Sequence, residues 1–257
     1  DDADNVEAEQ LRMEVERLRS SVLALNHAVD NQISSVGRDL VNWQEYKSGL
    51  QEIKPWVEQA EVKVTMGMPK PVSLQEAQQL LDSARDFEQQ CEGQLTKLQG
   101  VAALGQQITC RTNAADEVDA VHSRWTAVHD QALQWGTRLE KLVGTWQEID
   151  GQARGVDEWL QKGQRAIDET PVHINTTSVS KLEKEMARLK AINEEVSEKQ
   201  GQLATLTTVS DNISQGLALE GASAIKGQVA EMKAKANRLA ESVRGKINNV
   251  SDTILTR

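Results

Sequence analysis

The chain has 257 residues, 39 acidic against 29 basic side chains, a formal net charge of −10 and only 3% aromatics. That acidic balance excludes a general nucleic-acid scaffold, because neutralising phosphates requires a basic surface. Two cysteines, Cys91 and Cys110, are too few for a disulfide framework and have no metal-ligand cluster near them, which suggests a reduced intracellular setting.

Only four prolines occur, at positions 55, 69, 71 and 171, and the composition is that of long helices, with no strand signals. No apolar run approaches the roughly 20 residues of a membrane span, and the acidic start is not a signal peptide. The first residue is not Met and the helical pattern is already under way, so the chain reads as a piece of something longer. From Leu11 the apolar residues fall at Leu11, Val15, Leu18, Val22, Leu25, Val29, Ile33, Val36, Leu40 and Trp43, in steps of three and four. That is a helical stripe of the heptad kind. It continues through Leu50, Ile53, Val57, Ala60 and Val64, so one helix is expected over about residues 6–66. Pro55 removes the hydrogen bond to the Gln51 carbonyl, and a bend is expected just before Trp56.

Gly67 to Pro71 stops this helix. Ser73 followed by Glu76 forms a capping box for the next, which carries Ala77, Leu81, Ala84, Phe87 or Glu88, Cys91, Leu95, Leu98, Ala102 and Ile108. After a turn at Thr109 to Asn113 the stripe resumes at Val118, Val121, Trp125, Val128, Ala132, Trp135, Leu139, Leu142, Trp146, Ile149, Ala153, Val156, Leu160 and Ile167. The stripe keeps its phase throughout, which predicts one helix of about 50 residues, roughly 80 Å long. Gly136, Gly144, Gly151 and Gly155 soften it. A turn from Thr170-Pro171 to Thr177 leads, with Thr177 or Ser178 as cap, into a helix on Val179 to Ile213. A loop from Gln215 to Gly221 precedes the last helix on Ile225 to Ile254.

Two stretches are copies. Trp43-Gln44-Glu45 reaches Trp56 thirteen positions on, and Trp146-Gln147-Glu148 reaches Trp159 at the same spacing, an offset of 103 both times. Gly93-Gln94-Leu95 recurs as Gly201-Gln202-Leu203 at an offset of 108, so the first turn of the second copy is about five residues longer. Each copy is three amphipathic helices, and three wound together can hide stripes that one alone cannot.

The period, Trp56 and Trp159 in the first helices, Trp125 in the third, and Leu80-Leu81 with Phe87 in the second resemble spectrin repeats over nearly the whole chain. The resemblance implies an all-α fold of tandem three-helix bundles joined by a continuous connecting helix, an elongated rod. Residues 1–38 would be the tail of a preceding repeat's third helix, and residues 39–141 and 142–257 two repeats. Lys54-Pro55-Trp56 and the weakly kept second copy resemble the nesprins, giant nuclear-envelope linkers, those of insect muscle in particular, with dystrophin and the plakins next. The implied function is a structural spacer carrying tension in a large cytoskeletal linker between nucleus and actin. Its place would be cytoplasmic, on the cytoskeleton and at the outer nuclear envelope, with cytoskeletal or nuclear-envelope partners reached through the parent protein. A cortical actin linker of the dystrophin, plakin or spectrin type, or a partner-docking module, is the alternative.

The tryptophans are the candidate structural residues. Trp56, Trp125, Trp135 and Trp159 are assigned to the cores, and Trp43 and Trp146 to the junctions, packed against the loops of the adjoining repeat. A nucleic-acid stacking surface would need basic neighbours that they lack. His122 and His129, seven apart, share a helix face but have no third ligand, and His27 and His173 are isolated. No Ser, Cys or Lys has a spaced base and orienting acid, so neither enzyme nor cofactor is expected. The last helix carries Lys226, Lys233, Lys235, Arg238, Arg244 and Lys246, a calmodulin- or membrane-like cationic face, but its apolar stripe is needed to complete the second bundle. The glycosylation triplets at Asn175, Asn212 and Asn249 are read as unmodified. Residues 1–38 have no partners from their own repeat here, which leaves an apolar stripe exposed, so in isolation the segment is expected either to fray or to self-associate with another chain.

Overall fold

The computed structural model describes residues 2–170 and 177–256, with side chains from Asn5 onward. The five helices are α1 (Asp2–Met66), α2 (Leu74–Gln106), α3 (Ala114–Glu169), α4 (Val179–Ser214) and α5 (Leu219–Leu255), and there is no strand among the described residues. The turn expected from Pro171, with His173 and the Asn175 triplet, lies outside the described residues.

The helix ends follow local chemistry. Gly67, at φ +76°, ends α1 in the left-handed conformation that glycine adopts without steric cost, and its N–H donates to the Val64 carbonyl at 3.1 Å. Ser73 Oγ accepts from the Glu76 N–H at 3.1 Å, while the Glu76 carboxylate accepts from the Val72 N–H at 2.8 Å. The capping box thus closes one residue further out than its usual form. Ser178 takes the N-cap position of α4, but its hydroxyl makes no capping bond. Two boundaries differ from the sequence pattern. Ile108 lies beyond the end of α2, and Leu219 to Gly221 form the first turn of α5 rather than loop. The helix starts early because Ala218 is held from outside, its N–H donating to the Pro71 carbonyl at 3.0 Å. α1 runs unbroken through Pro55.

The contacts group the chain into two compact units, one of residues 1–67 and 86–132, the other of residues 68–85 and 133–257. In the first, the stripes bury Tyr46, Leu50, Ile53, Val57 and Ala60 of α1, Phe87, Cys91, Leu98 and Val101 of α2, and Val118, Val121, Trp125, Val128 and Ala132 of α3. In the second, one core joins Ile149, Val156, Trp159 and Leu160 of α3, Leu189, Ile192, Val196, Leu203 and Leu206 of α4, and Ile225, Val229, Ala236, Leu239 and Val243 of α5. Leu182 and Met186 of α4 close on Val250 of α5 in a smaller cluster. Each buried aliphatic side chain contributes about 1.5–3 kcal/mol. α3 is a single helix of 56 residues that supplies apolar side chains to both cores.

The two cores treat their tryptophan N–H groups differently. Trp125 Nε1 donates to the Cys91 carbonyl at 2.8 Å, and His129 stacks on the indole with ring centroids 4.8 Å apart. Trp159 is 3% exposed, yet its Nε1 has no hydrogen-bond partner. Replacing either indole by phenyl removes similar volume, but only Trp125→Phe removes a hydrogen bond, the second one that the Cys91 carbonyl accepts beside its helical bond. Trp125→Phe should therefore cost about 1–2 kcal/mol more than Trp159→Phe in urea unfolding followed by circular dichroism. Equal costs would show that the Cys91 bond contributes nothing.

Candidate functional site

Among the described residues there is no group of three His, Cys, Asp or Glu placed to hold a metal. His122 and His129 both lie beside the Trp125 ring, at 5.8 and 4.8 Å between centroids, His129 half-buried and His122 exposed. Asn212 and Asn249 are exposed within α4 and α5. The apolar face of α5 is buried, and of its exposed cations Lys226 pairs with Asp211 at 2.9 Å and Lys235 with Glu231 at 2.8 Å. No described helix is long and apolar enough to cross a membrane. What the chain does build is a pair of joints, where a loop is fastened to the helix that enters each copy.

At the first joint the α2–α3 loop is fastened to α1 by polar groups. Asp39, only 6% exposed, accepts from the Thr109 N–H at 3.0 Å, the Thr109 hydroxyl at 2.6 Å and the Cys110 N–H at 3.0 Å. These bonds, the Thr109 hydroxyl first, hold the Asp39 carboxyl down to about 2 from 3.8. Two turns further on, Tyr46 is fully buried and its hydroxyl donates to the Ala114 carbonyl at 3.0 Å, capturing the start of α3. Burial, then the Glu117 charge, pushes the Tyr46 phenol up to about 12. Lys47 Nζ lies 3.2 Å from Glu117 and 4.7 Å above the Trp43 ring, which stacks on Tyr46 at 5.3 Å. Lys47, and then Lys54, lower the Glu117 carboxyl. On the far side of the same bundle Arg124 grips Glu61 through two nitrogens at 2.8 and 2.7 Å.

The second joint is mostly apolar and backbone. Leu217, 3% exposed, joins the second core, with Leu142 and Trp146 packed against it. The α4–α5 loop also meets the α1–α2 loop: Ala218 N–H to the Pro71 carbonyl at 3.0 Å, and Lys70 Nζ to the Gln215 carbonyl at 3.0 Å. Gly221 is required beside them, because a Cβ there would stand 2.8 Å from the Val72 carbonyl oxygen.

The tryptophans therefore occupy two grades of site. Trp125, Trp135 and Trp159 are buried. Trp43, Trp56 and Trp146 are half-buried, and Trp56, expected in the core, lies at its edge, stacked on Phe87 at 6.3 Å. Asp39, Tyr46, Lys70 and Gly221 escaped the sequence reading. The one available signal was Asp39, a carboxylate standing on the apolar seam at a position occupied by Leu142 in the second copy.

Residues 41–141 match the family model described as the spectrin repeat. Over these residues the chain belongs to the spectrin-repeat family. The joint at Asp39 and Tyr46 thus fastens the entry helix of a spectrin repeat to that repeat's second loop. The chain is also 46% identical over 251 residues to Muscle-specific protein 300 kDa of Drosophila melanogaster, a match that covers 98% of this chain and 2% of that protein. No solved structure matches the chain.

A carboxyl lowered in the folded state stabilises above its unfolded value and loses that contribution as pH falls through its folded value. For Asp39 the window runs from 3.8 down to about 2. Asp39→Asn should melt lower than the wild type at neutral pH, with the gap closing across that window. A gap independent of pH would mean that the carboxylate charge is immaterial. At the second joint, Gly221→Ala should force the Val72 backbone away and speed exchange of the Ala218 amide hydrogen. Unchanged protection there would show that the loops absorb the methyl group.

Proposed function

We propose that the chain is a load-bearing spacer within a large muscle protein, carrying tension from one helical bundle to the next. The observation that carries this reading is α3, one unbroken helix of 56 residues that is at once the last helix of a spectrin repeat and the entry helix of a second core. Tension applied to such a chain passes along backbone hydrogen bonds, and bundles open as cooperative units. The likeness to Muscle-specific protein 300 kDa supports a muscle setting. The nesprin resemblance supports the finer reading, a linker between the outer nuclear membrane and actin, with membrane anchor and actin-binding parts supplied elsewhere in the parent.

Two measurements test the two levels. Pulled by its ends in an optical trap, the chain should lengthen in discrete, reversible steps, and smooth extension without steps would sink the spacer reading. Antibodies to the chain in muscle should mark the nuclear rim together with actin. Staining confined to the cell cortex would remove the nuclear reading and leave the spacer intact.

A further inference from the structure

We infer that α2 opens in two pieces: residues 74–85 unfold with the second unit, although the spectrin-repeat match assigns them to the first copy, and residues 86–106 unfold with the first unit. The α1–α2 loop is the strap that ties the leading piece of α2 to the second unit.

The strap completes two helix ends that are incomplete by themselves. The carbonyl of Gln215, the C-cap of α4, has no following helical turn to bond it, and the N–H of Ala218, the N-cap of α5, has no preceding one. Neither α4 nor α5 supplies a partner for these groups. The α1–α2 loop supplies both. Lys70 Nζ donates to the Gln215 carbonyl at 3.0 Å, and the Pro71 carbonyl accepts from the Ala218 N–H at 3.0 Å. The loop then passes α5 backbone against backbone. A Cβ on Gly221 would stand 2.8 Å from the Val72 carbonyl oxygen and 3.0 Å from Val72 Cα, so nothing flexible lies between the two segments.

The turns that follow the strap are seated on the same side. α1 buries no side chain beyond Ala60, and Val62 and Met66 are exposed, whereas α2 buries Ala77 and Leu81 in its first two turns. Gln78, Leu81 and Arg85 line one cleft with Glu140, Val143 and Gln147 of α3, and Arg85 pairs with Glu140 at 3.0 Å. By their contacts residues 68–85 group with residues 133–257, while residues 86–132 group with residues 1–67. The family match over residues 41–141 contains both boundaries, so the unit of sequence is not the unit of packing. Continuity of the α2 helix does not bind its two pieces into one cooperative body, because helix stability comes mainly from packing and local opening follows the packed units. In a loaded chain, opening of the second unit then frees the start of α2 from a repeat whose own core is still closed. That consequence rests on the spacer reading, whereas the exchange pattern of the unloaded chain does not depend on it.

Residue-resolved hydrogen exchange of the full chain tests the split. Ile53 of α1 and Ile192 of α4 are each 1% exposed, one in each core. Replacing either by valine leaves a small void and keeps the fold. Ile192→Val should speed exchange at the amides of residues 78–85 about fivefold, in step with α4 and α5, and leave residues 90–104 unchanged. Ile53→Val should speed residues 90–104 and leave residues 78–85 unchanged. Three outcomes would overturn the inference. Residues 78–85 responding to Ile53→Val alone would return all of α2 to its own repeat, a response to both variants would make the chain one cooperative body, and a response to neither would make these turns a frayed end.

Discussion

An apolar seam that recurs every three or four residues has to be covered, and the architecture follows from how each helix meets that need. α2 and α4 each turn their seam into a core, and the closing halves of α1 and α3 do the same. Local stop and start signals count for less. α4 and α5 begin without any side-chain capping bond, at Ser178 and Ala218. Their first turns are held instead by what they pack against, as expected where burial supplies most of the helix stability. The continuity of α3 has the same origin. Its phase is kept through Gly144, Gly151 and Gly155, all of which lie on open positions where a Cβ would meet nothing. Glycine there costs helix propensity without interrupting the seam.

The two joints answer one geometric problem with different chemistry. At an offset of 103, Trp43 corresponds to Trp146, Asp39 to Leu142 and Tyr46 to Ile149. The first joint fastens its loop with a carboxylate, a phenol and the Lys47–Glu117 pair, all directional. The second fastens its loop with Leu142, Leu217 and Ile149, plus backbone bonds to the α1–α2 loop. A directional clasp is either made or lost over a few tenths of an ångström, whereas an apolar contact yields gradually and without regard to pH. Duplication of sequence has therefore not duplicated the chemistry of the joint.

The helices were legible because the seam is regular over long stretches. Their boundaries could be placed from Gly67, Ser73, Asn113 and Ser178. The exceptions are the end of α2, which stops short of Ile108, and the start of α5, which depends on a bond from Ala218 to Pro71, 147 positions away, that no local pattern encodes. The joints were less legible for the same reason. Trp43 and Trp146 marked where they lie, but the fastening groups are Thr109, Cys110 and Ala114, backbone donors and acceptors whose role appears only once the loop is folded onto α1. Trp56 and Trp159 show the limit of a motif. They share a sequence position, yet Trp56 stacks at the rim on Phe87 while Trp159 is enclosed.

That last difference bears on which core is better satisfied. Among the described residues, the buried side-chain atoms left without a hydrogen-bond partner are Trp159 Nε1, Glu185 Oε2 and Asn193 Oδ1, all in the second unit. The second core also relies on Gly163, where an added Cβ would stand 2.4 Å from Leu239 Cδ2, so a leucine from α5 lies directly on the α3 backbone. Each unsatisfied polar group costs about 1–3 kcal/mol, and a larger residue at position 163 would have to push the Leu239 side chain aside. The first unit, by contrast, satisfies Trp125 through Cys91 and Arg124 through Glu61. With similar apolar stripes in both units, the difference between them lies in the polar remainder: among the described residues the second unit carries the uncompensated buried atoms and the first does not.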